Sequence, residues 1–219
     1  MSVDFQASLF DSVIDEGPSD ASAATATLGA LGRTVRRHQL SRGAWVDVRP
    51  GWVSGSDELF AHLVGTVPWY AERRQMYDRV VDVPRLLKFY GAGERLPAPV
   101  LDEAREALSA YYLEELGEPF TTAGLCFYRD GRDSVAWHGD TIGRSRTEDT
   151  MVAIVSLGEA RRLLLRPRNG GETLGFSLGH GDLLVMGGSC QRTWEHAVPK
   201  TAKPVGPRIS VQFRPHNVR

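Results

Sequence analysis

Three short segments, far apart in the chain, have to converge if their side chains are to act together. They are His138-Gly139-Asp140, His196, and the run Arg208-Ile209-Ser210-Val211-Gln212-Phe213-Arg214. In an extended strand, residues i and i+2 point to the same side. His138 and Asp140 can therefore aim at one point from a strand end, with Gly139 leaving room between them. By the same rule Arg208, Ser210, Gln212 and Arg214 share one face, while Ile209, Val211 and Phe213 face the other way, into packing. His196 has to arrive from a different strand. The pattern calls for a fold whose strands meet at a common mouth.

The second half of the chain has the texture of such a fold. After Phe120, short β-rich runs alternate with Gly, Asn and Asp turns: Ala123–Tyr128, Met151–Leu157, Arg161–Arg166, Glu172–Leu178, Asp182–Met186, Arg192–His196 and Arg208–Arg214. Many short strands separated by turn signals indicate a sandwich or jelly roll. Arg168-Asn169-Gly170-Gly171 and Gly179-His180-Gly181-Asp182 read as tight turns. Upstream, Ser56-Asp57-Glu58 starts a helix whose Leu59, Phe60, Leu63 and Val64 form one face, and Pro68 stops it. Pro99 to Leu116 is the strongest helix, with Leu101, Ala104, Leu108, Tyr111 and Tyr112 as its stripe and Gly117 as its close. Arg33 to Val48 alternates roughly as a strand, and residues 14–32, small and polar, read as a mobile linker. The expected class is α+β, with a double-stranded β-helix (jelly-roll) core preceded by helices.

A chain of 219 residues fits one large domain, and 42% apolar with 24% charged residues is ordinary for a soluble globular protein. No apolar run is long enough to span a bilayer. The first residues lack the basic and apolar regions of a signal peptide, and two cysteines do not make a disulfide framework, so a reducing cytoplasm is expected. The formal net charge of -1 argues against non-specific coating of nucleic acid. The charge is uneven, however: from Glu159 to Arg219 ten basic residues face four acidic ones. This surplus reads either as a face that holds phosphates or as a solvated strand face.

Two imidazoles and one carboxylate can cover one face of an octahedral metal and leave the other open, the facial triad used by non-haem Fe(II) oxygenases. His180, in a turn, is the rival third ligand, and His216 ranks lower. His38 and His62 read as surface or core histidines, and neither Cys126 nor Cys190 sits at the spacing of a structural zinc site. Two arginines on one buried face are costly unless anions pair with them. A dicarboxylate co-substrate would satisfy both, and the guanidinium fork suits carboxylate better than lysine does.

These residues resemble the AlkB family of Fe(II)/2-oxoglutarate dioxygenases, from about Val83-Pro84-Arg85 to Arg214. The likeness is closest in Leu125–Asp140, in Val155-Ser156-Leu157-Gly158, in His180–Gly188 and in Arg208–Arg214; Phe5–Phe10 is similar to the start of some bacterial members. The resemblance implies an enzyme that removes small alkyl groups oxidatively from DNA or RNA bases, releasing succinate, CO2 and formaldehyde. It implies His138, Asp140 and His196 as catalytic iron ligands. It also implies Arg208, Arg214, Tyr128 and Ser210 around 2-oxoglutarate, with O2 as the oxidant. The implied organisation is a flexible segment over 1–32 and a single dioxygenase domain over 33–219. Within that domain a substrate-covering lid would occupy about 45–95 and the jelly-roll core 120–219. On the lid, Trp69, Tyr70, Tyr77 and Tyr90 are candidates to stack on a base, against an ordinary packing role for each. Arg73, Arg74, Arg79, Arg85 and Lys88 are candidates for phosphate, diluted by Asp78 and Asp82. The substrate-contact set is Trp69, Tyr70, Arg73, Tyr77 and Arg85, and a monomer that meets no membrane is expected. Two positions depart from the family pattern: Ser210 stands where Asn is frequent, and Thr141-Ile142-Gly143 follows Asp140 where many members carry an acid. A dioxygenase acting on a protein side chain or small metabolite, and a non-enzymatic binding module, are the competing readings of the same fold.

Overall fold

In the computed structural model, residues 26–76 and 79–218 are described. The first half carries β1 (Thr27–Leu28), β2 (Arg36–Gln39), β3 (Ala44–Arg49), β4 (Val53–Ser54), α1 (Ser56–Thr66), β5 (Tyr70–Met76), β6 (Arg79–Tyr90), α2 (Pro99–Tyr111) and α3 (Leu113–Leu116). The second carries β7 (Thr122–Tyr128), β8 (Val135–His138), β9 (Val152–Gly158), β10 (Arg161–Pro167), β11 (Leu174–Leu178), β12 (Asp182–Gly188), α4 (Cys190–Thr193), β13 (Trp194–Val198) and β14 (Arg208–Arg214). An eight-stranded sheet runs in the order β2-β3-β12-β9-β14-β7-β6-β5, and a four-stranded sheet in the order β11-β10-β13-β8. The expected jelly-roll architecture is present.

Period-two patterning explains how the layers assemble. In β9, Val152 and Ile154 point between the two sheets, while Ala153, Val155 and Leu157 point to the helices. Both faces of this central strand are buried, which is why its sequence is a nearly continuous apolar run. In β14, Ile209, Val211 and Phe213 are fully buried with Leu59, Leu63, Leu101 and Leu108 of α1 and α2. Fully burying side chains of this size contributes about 1.5–3 kcal/mol each. The opposite face of β14 is thereby forced toward the gap between the sheets. Within that gap Leu163, Leu165, Leu184 and Met186 pack together as part of a second apolar cluster.

Several expectations are corrected. Arg33–Val48 is not one strand but a hairpin, because Arg42 (φ 64°) and Gly43 (φ 78°) turn the chain between β2 and β3. The linker does not extend to residue 32: Ala26 is buried in the core, β1 pairs with β4, and Trp52 Nε1 donates to the Gly29 carbonyl at 2.9 Å. The span of about 45–95 expected as a lid includes part of the scaffold. Residues 44–67 belong to the scaffold, since β3 pairs with β12 and Val46, Trp52, Leu59 and Leu63 are fully buried. The β5–β6 hairpin forms one edge of the large sheet, through β6 pairing with β7. Tyr111 is 42% exposed rather than part of the helix stripe, because α2 ends there and Tyr112 turns into the core. β13 begins at Trp194, after the short α4, so His196 lies mid-strand. No helix among the described residues is long and apolar enough to cross a membrane.

Candidate metal and anion site

β8 and β13 are antiparallel neighbours, and their register sets His196 directly opposite His138. The ring centroids are 4.2 Å apart. Asp140 follows two residues after His138, just past the strand, and one of its oxygens lies 3.6 Å from His138 Nε2. One ligand atom from each of the three falls within 4.8 Å of the others. Gly139 is needed between them, since a Cβ there would collide with the Gln191 carbonyl and the Arg168 guanidinium.

The surroundings prepare these groups for a cation. His138 Nδ1 donates to the Ala136 carbonyl at 2.9 Å, which turns Nε2 toward Asp140. Burial, with His138 alongside, lowers His196 to about 3, so it is neutral and able to ligate. Burial alone would raise the Asp140 carboxyl, but Arg214 and the two imidazoles outweigh it and hold the group well below the usual carboxylate range. Arg214 Nε donates to Asp140 Oδ2 at 2.7 Å, and the Asp140 amide donates to Gln191 Oε1 at 2.9 Å. The carboxylate is thus fixed from both its side chain and its backbone. His180 sits elsewhere: Nδ1 accepts from the Gly158 amide at 2.6 Å and Nε2 faces Asp57 at 3.2 Å, so it serves the turn.

β14 lies across the gap from these ligands. Arg208, Ser210, Gln212 and Arg214 line one cavity of about 70 Å³ with His138, His196, Tyr128, Cys126 and Arg85. Arg208 is 2% exposed; its Nε donates to Ser156 Oγ at 2.9 Å, and its buried NH1 has no partner among the described residues. Burial lowers the Arg208 guanidinium below its ordinary value, which is the signature of a buried cation short of an anion. Tyr128 lies beside it, with the Arg208 guanidinium 5.3 Å from the ring centre. Burial, reinforced by Cys126, pushes the phenol up to about 12, so it keeps its proton and can donate. Ser210 Oγ accepts from Gln212 Nε2 at 2.6 Å. A chelating dicarboxylate fits this arrangement, one end on Arg208 and Tyr128 and the other toward the His-Asp-His set.

The residues expected to touch a larger substrate divide. Arg85 lies in the cavity wall, NH1 donating to the Ser134 carbonyl at 3.0 Å, and is not a surface cation. Tyr70 is 46% exposed and pairs across the hairpin with Leu87, which packs toward the gap between the sheets. Arg73 is exposed on the same hairpin. Trp69 is placed differently from the expectation: it packs on Phe127 at 5.3 Å on the helix side of the large sheet, with Nε1 donating to the Leu63 carbonyl at 3.2 Å. Tyr90 is likewise buried in the helix-side core. Tyr77 lies outside the described residues. Sequence reasoning missed Gln191 and Ser156 as supports. Ser156 carried a readable signal, a single hydroxyl inside the apolar run of β9; Gln191 carried none, because nothing local marks it as buried.

A family model described as the 2OG-Fe(II) oxygenase superfamily matches residues 53–214. Among curated proteins, the alpha-ketoglutarate-dependent dioxygenase alkB homolog 3 of Bos taurus is 31% identical over 186 residues, covering 75% of this chain and 64% of that protein. The DNA oxidative demethylase ALKBH2 of Bos taurus is 28% identical, covering 73% and 64%. The chain therefore spans a little under two thirds of the length of these relatives, and their names bear out the AlkB resemblance. Among solved structures, OsALKBH1 superimposes with a TM-score of 0.55 at 15% identity, over 83% of this chain and all of that one. A prolyl hydroxylase of Trichoplax adhaerens, solved with a peptide, gives 0.56 at 13% identity over 78% and 83%. Both share the fold.

Proposed function

The chain belongs to the 2OG-Fe(II) oxygenase superfamily, and on that premise we propose that it oxidatively removes methyl groups from nucleic-acid bases. The observation that carries the proposal is the union of an open-faced His138-Asp140-His196 set with a buried, under-paired Arg208 across the same small cavity. When bound, iron and 2-oxoglutarate supply the oxidation of an unactivated C–H bond by O2, with succinate and CO2 as co-products. From an N-methylated base, the hydroxylated methyl leaves as formaldehyde.

The chain's own residues do the rest. His138, Asp140 and His196 would hold the metal and leave one face open. Arg208 and Tyr128 would fix the far carboxylate of 2-oxoglutarate by charge-assisted hydrogen bonds. Arg214 keeps Asp140 ionised and aimed. The apolar wall of Val135, Val152, Ile154 and Leu163 limits water in the cavity. A base inside a duplex cannot reach this gap, so it has to be unpaired or flipped out. The exposed Tyr70 on the β5–β6 hairpin, facing the same side as the cavity, supplies a surface on which a base can stack. The relatives named as alkB homolog 3 and DNA oxidative demethylase support this reading.

A panel of methylated DNA and RNA oligonucleotides, incubated with Fe(II), 2-oxoglutarate and air and read by mass spectrometry, tests it. At least one base methyl should be lost. Succinate formation that no methylated oligonucleotide stimulates, but a peptide or metabolite does, would replace the proposal with the competing one.

A further inference from the structure

The surplus of positive charge between Glu159 and Arg219 sorts itself by position. Arg208 and Arg214 line the cavity. Arg161 is buried and donates to the carbonyls of Asp130, Asp133 and Pro199. Arg192 pairs with Asp149. Lys200 and Lys203 lie between β13 and β14, Arg219 falls outside the described residues, and Arg162, Arg166 and Arg168 remain as a group on and just after β10. Leu163 and Leu165 point into the gap between the sheets, so Arg162 and Arg166 take the outer face of the four-stranded sheet.

Each of the three guanidinium groups lies against a surface that admits it. Arg162 lies over Gly175, where a Cβ would collide with it. Arg166 lies 4.2 Å above the centre of the Trp137 ring, and Arg168 rests against Gly139. Glu195 is bonded to Arg166 at 2.9 Å and to Arg168 at 3.1 Å, and Arg162 has no ion pair among the described residues. Two cations therefore share one carboxylate, and the third has none among the described residues. β8 is the edge of its sheet, and on it Trp137 immediately precedes the metal-site His138. The platform borders the mouth of the site.

We propose that the outer face formed by Trp137, Arg162, Arg166 and Arg168 holds the backbone of the nucleic-acid strand that delivers its base to the metal site. The inference rests on the demethylase reading above and names the surface by which that substrate docks. Strands rise about 3.3 Å per residue, so Arg162 and Arg166 lie roughly 13 Å apart along β10, enough to meet separate phosphates. Guanidinium forks bind phosphate bidentately. Glu195 and Trp137 hold Arg166 in place beforehand, which lowers the entropic cost of binding. Stacking and cation–π contact at Trp137 tolerate any base sequence.

The test uses the full chain and a long methylated single strand, with binding followed by fluorescence anisotropy across a salt series. Arg162→Ala combined with Arg166→Ala should weaken binding several-fold. It should flatten the salt dependence by about 1.4 in log–log slope, since each phosphate no longer neutralised removes about 0.7. The paired Arg→Lys variant should keep the slope, because the point charge survives. Succinate formation without an oligonucleotide, which needs only the metal and 2-oxoglutarate residues, should be unchanged in both variants. Unchanged affinity and slope in the alanine variant would overturn the proposal, as would a lysine variant as impaired as the alanine one, which would signal packing instead. A wild-type protein that neither binds nor turns over any methylated strand would remove the demethylase reading and this surface together, and would show in the wild type rather than as a difference between variants.

Discussion

Arg208 gives the sharpest quantitative test of the anion site. It is buried, its NH1 has no partner among the described residues, and its Nε is held by a neutral hydroxyl. Replacing a poorly compensated buried charge by an apolar side chain of similar reach is often neutral or stabilising. Arg208→Met should therefore leave the ligand-free protein at least as stable as the parent. The difference should emerge with 2-oxoglutarate, measured by thermal unfolding with Mn(II) in place of iron to prevent turnover. At a concentration of 100 times its Kd, the co-substrate adds about 2.7 kcal/mol to the parent. For a chain of 219 residues that is a Tm rise of roughly 5–11 °C. Losing the charge-assisted bonds costs about 1.5–3 kcal/mol, or about 10- to 150-fold in affinity. At the same concentration the variant then gains only about 0.3–1.4 kcal/mol, so its Tm rise is half the parent's or less. An equal 2-oxoglutarate-dependent rise in both proteins would refute the assignment of Arg208. A large loss of stability without ligand would refute the argument that its charge is under-compensated.

Three further outcomes follow from the same geometry. His138→Ala, Asp140→Ala and His196→Ala should each lose Mn(II) affinity in equilibrium binding, whereas His180→Ala should retain it; the reverse for His196 and His180 would move the ligand role. Tyr128 is held at about 12 by burial, above the value near 10 of the unfolded chain. Its contribution to stability is fully present below pH 10 and is lost as pH rises from about 10 to about 12; Tyr128→Phe should abolish that part of the alkaline stability loss, and an unchanged profile would contradict the environment described. Trp69→Ala should destabilise the fold by about 3 kcal/mol with little effect on oligonucleotide affinity, while Tyr70→Ala should weaken binding by about 1–3 kcal/mol with the fold intact, so a swap of these two effects would reverse their assignment to opposite sides of the large sheet.

The strands of the core were legible because their period-two patterns coincide with burial: β14 occupies the very residues expected of it, and its two faces separate as the alternation dictates. The convergence of His138 with Asp140, and of Arg208 with Arg214, was legible for the same reason, since H-x-D and R-x5-R encode shared faces locally. What was not legible is set by tertiary packing. Trp69 and Tyr70 are adjacent and chemically alike, yet strand alternation sends one to the helix core and the other outward, and the register that decides which is fixed by pairing with Leu87. The short hairpin turn at Arg42-Gly43 was masked by an alternation that runs on through both strands. That the expected lid span includes scaffold was not legible, because β3 reads as an ordinary strand and gives no local sign that it pairs with β12. Gln191 supports Asp140 from α4, a contact that no spacing rule connects.

Under the proposed function, oxidation at the His138-Asp140-His196 site is coupled to loss of a methyl group from a nucleic-acid base. The most direct measurement is the stoichiometry of succinate and formaldehyde released from a methylated oligonucleotide, beside its unmethylated twin, by the intact protein with Fe(II) and 2-oxoglutarate. One formaldehyde per succinate is expected from the methylated strand, and only slow succinate, without formaldehyde, from the twin. Equal succinate from both strands with no formaldehyde from either would contradict the proposed function.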